Sequence, residues 1–181
     1  MRPMSRTIGA VSSATVMASV VIGGLGTAPS ARADGNGING TYVATSVGEW
    51  AKTNEVFHDE ATVRSTWTIT SSCQTAQDCS GQVTSDQGWS APLYTHDGQL
   101  WYVKRDVPHW EACPDGTAVT GRQTFSFVPV GPDGMVARAN GSVDTGSQTL
   151  AGLDKTVGPS GACGINRWLV VQMPFRLDKI S

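Results

Sequence analysis

Three histidines, four cysteines and six tryptophans are the side chains from which a site would have to be built. His58-Asp59-Glu60 has the composition of a metal or acid–base cluster. Neighbours on an extended chain point to opposite faces, however, so only His58 and Glu60 converge, and two ligands do not make a metal site. A solvated loop is the plainer reading. His96 stands beside Asp97 in turn-forming sequence, whereas His109, between Pro108 and Trp110, is a candidate pocket residue. Gly158-Pro159-Ser160-Gly161 sets a serine between glycines, but no strand-to-helix elbow surrounds it, and it reads as a turn before Cys163. Glu49, Glu60 and Glu111 are available for a glycosidase-type carboxylate pair, which spacing alone does not assemble. None of these patterns calls for a metal or a cofactor, and none defines a catalytic residue.

The cysteines fit covalent staples better than chemistry. Zinc would want a Cys-x₂₋₄-Cys pair or nearby histidines, and Cys73 and Cys79 offer neither. Three pairings are possible. Proximity favours Cys73 with Cys79, which leaves Cys113 with Cys163. On the chain-entropy model the first loop contributes about 2.4 kcal/mol and the second about 4 kcal/mol.

The aromatic residues form a second set. Trp89, Tyr94, Trp101, Tyr102 and Trp110 gather around one expected hairpin. Core packing is the default use of tryptophan, yet six exceed what one such core needs. Alternation sends Trp101 and Tyr102 to opposite faces, so one of them must leave the core. An exposed aromatic patch rimmed by Lys104, Arg105 and Asp106 would serve as a contact surface.

The elements that position these residues are strands. Arg2 and Arg6, the apolar or small run Ile8 to Thr27, and Ala31-Arg32-Ala33 read as a secretion signal cleaved before Asp34. An uncleaved anchor is the rival, but Ser12, Ser13, Thr15, Ser19 and four glycines dilute the run. Residues 34–181 are then one secreted domain, with no membrane span. Of 13 basic residues, Arg2, Arg6 and Arg32 leave with the signal, while all 15 acidic residues stay. Nucleic acid is thereby a poor partner.

Residues 34–40 read as a flexible lead-in and 41–47 as a first strand; 48–57 is a short turn or extended segment. Trp67, Ile69 and Ser71 alternate with Thr66, Thr68 and Thr70 in a strand that reaches Cys73. Further strands are expected at 81–86, at 89–95 with Pro92 marking an edge or bulge, and at 100–107. Residues 108–116 read as a loop and 117–130 as a strand, with 135–145 as its antiparallel partner. Residues 146–164 are loop-like, and 168–180 form the last strand. The expectation is an all-β, antiparallel up-and-down meander of about seven to eight strands, as a curled sheet or a barrel.

Trp67-x-Ile69-x-Ser71-x-Cys73-x₅-Cys79-x-Gly81 is followed by Glu111-Ala112-Cys113-Pro114-Asp115-Gly116 and the Phe125–Gly134 hairpin. Gly161-Ala162-Cys163-Gly164 and Pro174-Phe175-Arg176-Leu177 complete the pattern. From Trp67 to Ile180 it resembles the extracellular, sensor-like domains of mycobacterial receptor serine/threonine kinases and related secreted actinobacterial proteins. The resemblance implies two disulfides in the pairing above and an extracytoplasmic sensor or binding module without catalysis. It brings no ligand with it. No kinase domain accompanies the module in this sequence, so signalling through its own chain is not expected.

The functional expectation is a secreted, non-enzymatic module of the cell envelope or extracellular space that binds an envelope ligand or protein. Trp89, Trp101 or Tyr102, His109 and Trp110 are its expected contacts. A secreted hydrolase with a carboxylate or histidine site, and a structural or inhibitory envelope protein, are the alternatives.

Overall fold

The computed structural model describes residues 37–131, 138–139, 142–143 and 147–181. The expected secretion signal, its cleavage before Asp34 and most of the strand expected at 135–145 lie outside the described residues. The strands are β1 (Gly40–Ser46), β2 (Lys52–Thr53), β3 (Val56–Phe57), β4 (Val63–Cys73), β5 (Cys79–Ser85) and β6 (Ser90–Thr95). They continue as β7 (Trp101–Ala112), β8 (Ala118–Val130), β9 (Arg138–Ala139), β10 (Ser142–Val143), β11 (Thr149–Val157) and β12 (Val170–Lys179).

Eight of these, in the order β1-β4-β5-β6-β7-β8-β11-β12, form an antiparallel up-and-down sheet. β12 returns to β1 from Tyr42 opposite Lys179 to Ser46 opposite Phe175, closing the sheet into a barrel. β2 and β3 are a hairpin added to β12 at Val171 and Gln172, beyond the end of β1. Its two turn residues, Asn54 and Glu55, both have left-handed backbone (φ 50° and 67°), which suits a two-residue hairpin turn.

The period of two decides what fills the interior. Tyr42, Trp67, Ile69, Val83, Leu93, Trp101, Val103, Phe125, Phe127, Leu150, Phe175 and Leu177 point inward and make one core. An eight-stranded barrel is just wide enough for such side chains to fill, or to hold one small ligand. The interior here does one thing at each end. At the end formed by the β4–β5 and β6–β7 turns it is sealed. Ile38 is buried there with its carbonyl accepting from Ser71 Oγ (2.7 Å), so the described part of the lead-in packs over this end of the barrel.

The two disulfides have the expected pairing and lie at opposite ends. Cys73 and Cys79 face each other across β4 and β5 at the sealed end. Cys113, on the β7–β8 hairpin tip, joins Cys163 in the connection from β11 to β12 at the other end.

Four strand expectations are corrected. The partners of β8 are β7 and β11, and among the described residues of 135–145 β9 and β10 pair with each other. β11 lies inside the stretch read as loop at 146–164. Its inward residues are Leu150, Gly152, Asp154 and Thr156, so it has no apolar stripe for the sequence to show. β7 runs on to Ala112 through the expected 108–116 loop. A bulge between Val107 and Glu111 absorbs Pro108 there, with His109 in the left-handed region (φ 55°). Pro92, finally, sits inside the closed sheet rather than at an outer edge. It is tolerated because β6 meets β7 only through Leu93–Val103 and Tyr94–Tyr102, leaving Pro92 without a β7 partner.

Candidate binding site

At the end opposite the seal, the barrel is not filled. A cavity of about 270 Å³ is set among inward residues of β1, β4, β7, β8, β11 and β12. Its floor is the aromatic layer of Trp67, Phe125 and Phe175, whose ring centroids lie 4.8–5.2 Å apart. Trp67 meets Phe125 edge-to-face, a favoured aromatic geometry that adds to simple burial. Trp89, Val107, Trp110, Val171 and Met173 line the walls, and the exposed Val63 and Gln87 stand on the rim.

One wall carries a chain of polar side chains. Asp154 is 2 % exposed. Ser46 Oγ donates to its Oδ2 (2.7 Å), and Gln123 Nε2 donates to its Oδ1 (2.8 Å). Gln123 Oε1 in turn accepts from Arg105 Nε (2.7 Å). The Arg105 guanidinium lies over the Trp89 ring, 4.3 Å from its centroid. Gln123 thus stands between the cation and the anion, which form no direct ion pair. Alternation explains the arrangement: Val103 and Arg105 are inward on β7, Phe125 and Gln123 on β8, and Thr156 and Asp154 on β11. Burial pushes the Asp154 carboxyl above its ordinary value, against the hydrogen bonds from Ser46 and Gln123 and the charge of Arg105. Burial likewise lowers Arg105, opposed by the charge of Asp154.

Trp110 reaches this wall because of the bulge. Its ring covers Gly121 and Gly158: a Cβ on Gly121 would meet the ring carbons at 2.7 Å, and one on Gly158 at 3.2 Å. Both glycines supply room for an indole. Trp89 keeps its Nε1 buried without a hydrogen-bond partner among the described residues.

The residues expected to make contacts are dispersed by these rules. Trp89 and Trp110 line the cavity. Trp101 is 0 % exposed and packs in the sealed half. Tyr102 is on the outer face, stacked on Tyr94 at 5.6 Å with Lys104 Nζ over both rings. His109 is exposed on the bulge. Of the three polar residues expected on a common rim, Lys104 and Asp106 are exposed on the outer face while Arg105 turns inside.

Ser46, Gln123 and Asp154 were not among the expected site residues. Their signal is a polar side chain in phase with buried apolar ones on the same strand. Glu49, Glu60, Glu111 and His109 do not line the cavity, so among the described residues Asp154 is its single acid. His58 Nδ1 and Glu60 Oε1 pair at 3.2 Å on the surface. Among the described residues no three His, Cys, Asp or Glu side chains are grouped to hold a metal ion. No described helix is long and apolar enough to cross a membrane. The connections at the cavity end also expose Trp50, Val56, Phe57, Ile165 and Trp168.

No protein-family model matches the sequence, and no curated protein does. Among solved structures, the chain is similar in fold to the monomer form of the M. tuberculosis PknI sensor domain. The TM-score is 0.51 at 14 % identity, over 80 % of this chain and 88 % of that one. At that identity the likeness shows a sensor-domain-like fold.

Proposed function

We propose that the chain is a secreted, extracytoplasmic binding module that takes a small ligand into the open end of its barrel. The observation that carries this reading is the contrast within one interior. The barrel is filled with aromatic and aliphatic side chains up to the Trp67–Phe125–Phe175 layer, then gives way to a cavity walled by indoles and a buried polar chain. Pockets of that kind, mostly apolar with a few placed polar groups, are where proteins bind small molecules. A sensor-like fold, two disulfides and the signal-like residues 1–33 support an extracytoplasmic setting. Large apolar side chains exposed around the same end give a protein partner somewhere to recognise the occupied state.

The reading is tested by an NMR screen of a mixed small-molecule library of anionic, cationic and neutral compounds, following the indole N–H signals. Binders should shift Trp89 and Trp110 and leave Trp168 in place. A library whose hits move only outer-face groups such as Tyr102, or which has no hits, defeats the proposal. The hydrolase alternative draws no support from a cavity with one acid.

A further inference from the structure

Resting on the reading of the barrel mouth as a binding site, we infer that its ligand is a small monocarboxylate with an apolar body, anchored by the guanidinium of Arg105. The inference comes from an inventory of donors and acceptors on the cavity wall. Each acceptor of the polar chain already receives a proton: Asp154 Oδ1 from Gln123, Asp154 Oδ2 from Ser46, and Gln123 Oε1 from Arg105. Ser65 Oγ, also on the lining, receives one from Trp67 Nε1 (3.0 Å). The donors are in surplus. Arg105 spends only Nε on a described residue, leaving its two terminal nitrogens, and Trp89 Nε1 has no partner. A ligand that completes this wall brings acceptors.

Charge and size narrow the class. Among the described residues of the lining Arg105 is the single basic one, so the wall offers one cation to a ligand, and with Asp154 on the same wall it does not suit a dianion. Asp154 does not occupy the guanidinium, because Gln123 is interposed. The planar fork of arginine suits the two oxygens of a carboxylate, and its contact with the Trp89 ring restrains the guanidinium at the wall. The rest of the lining includes Trp110, Val107, Val171 and Met173, which offer apolar surface and no charge. At roughly 30 Å³ for each water-sized group, the cavity admits a body of about nine such groups. That is the size of a short fatty acid or an aryl-acetic acid.

The experiment compares phenylacetate and hexanoate with phenylacetamide and hexanamide on the intact protein, reading the Trp89 and Trp110 indole signals. The acids should bind about tenfold or more tightly than their amides. Arg105→Gln should bring each acid down to the level of its amide. Arg105→Lys, which keeps the charge but loses the fork, should leave the acids between the two levels, and it serves alone if the glutamine variant does not fold. Equal affinity of acids and amides, or an Arg105→Gln protein that binds the acids as before, overturns the carboxylate assignment. In that case, amides or library compounds that still shift Trp89 and Trp110 leave the mouth standing as a binding site. Silence of both indoles towards acids, amides and library alike defeats both readings.

Discussion

The sealed half and the open half of this barrel are built from the same strands, and each is stapled by one disulfide, but they spend their inward positions differently. Along β7 the inward sequence passes from Trp101 and Val103 to Arg105 and Val107; along β8 it passes from Phe127 and Phe125 to Gln123 and Gly121. β11 goes from Leu150 to Asp154 and Thr156, and β1 from Tyr42 and Ala44 to Ser46. Four strands change character at the same height. Below it, volume is what matters, and dense packing makes the structure stable. Above it, hydrogen bonding and room matter, and burial of Asp154 and Arg105 costs stability that the lower half must supply.

The largest test of this division is a pair of tryptophans. Trp101→Ala removes a fully buried ring from the sealed half and should cost about 3–5 kcal/mol in urea unfolding. Trp110→Ala removes a half-buried ring beside a cavity that is already open, so about 1 kcal/mol is expected, with loss of ligand binding. Equal costs would erase the distinction between the halves. Next come the staples. On loop length alone, the Cys113→Ala/Cys163→Ala protein should lose about 4 kcal/mol and the Cys73→Ala/Cys79→Ala protein about 2.4 kcal/mol. The open end depends more on its disulfide, since that bond ties a hairpin tip to a distant connection while the other closes a hairpin already paired by its ladder. A larger loss at Cys73–Cys79 would reverse that ranking.

The same division decides what the sequence could disclose. The sealed half is legible because its code is apolar alternation: Trp67, Ile69 and Val83 mark β4 and β5 by period alone, and proximity favours the Cys73–Cys79 pairing. The open half is written in exceptions to that code. β11 escapes a periodicity search because after Leu150 the residues it turns inward are Gly152, Asp154 and Thr156, which are small or polar: glycine for close approach and Asp154 for its hydrogen bonds. A Cβ at Gly152 would fall 1.9 Å from Ser126 O, so only glycine lets β11 lie against β8 there. Trp110 was legible as a candidate but not as a wall of the cavity, since only the bulge at Pro108–His109 turns it in. By its charge Arg105 reads as part of a surface patch with Lys104 and Asp106, whereas counting by two from Trp101 puts it inside. A polar residue in phase with a buried stripe is therefore the mark to look for when a barrel interior holds a site.

The smallest effect is the one whose sign separates the buried carboxyl of the polar wall from the exposed carboxylates around it. At the sealed end, Asp178 is held below its ordinary value chiefly by Arg176, whose Nε donates to both oxygens at 2.8 Å. Asp97 is also lowered: slight burial works against this, but bonds from Gln99, Leu100 and Thr95 outweigh it. Such groups contribute stability above the ordinary carboxyl value of 3.8, and it is lost as pH falls through their native values. Asp115, on the exposed hairpin tip, follows them through Thr117. Asp154 runs the other way. Burial raises it, so the native state holds this proton more tightly than the unfolded chain does. Its contribution is complete below 3.8 and lost as pH rises through the raised native value. Asp154→Asn keeps an acceptor for Gln123 and a partner for Ser46 while abolishing the titration. Melting temperatures followed from acid to neutral pH should therefore show Asp154→Asn gaining on the parent protein as pH rises above 3.8, against a common background of acid loss from the other carboxylates. If the variant instead falls behind with rising pH, the ionised Asp154 is a net asset through Arg105, and the polar wall belongs with the parts that stabilise the barrel.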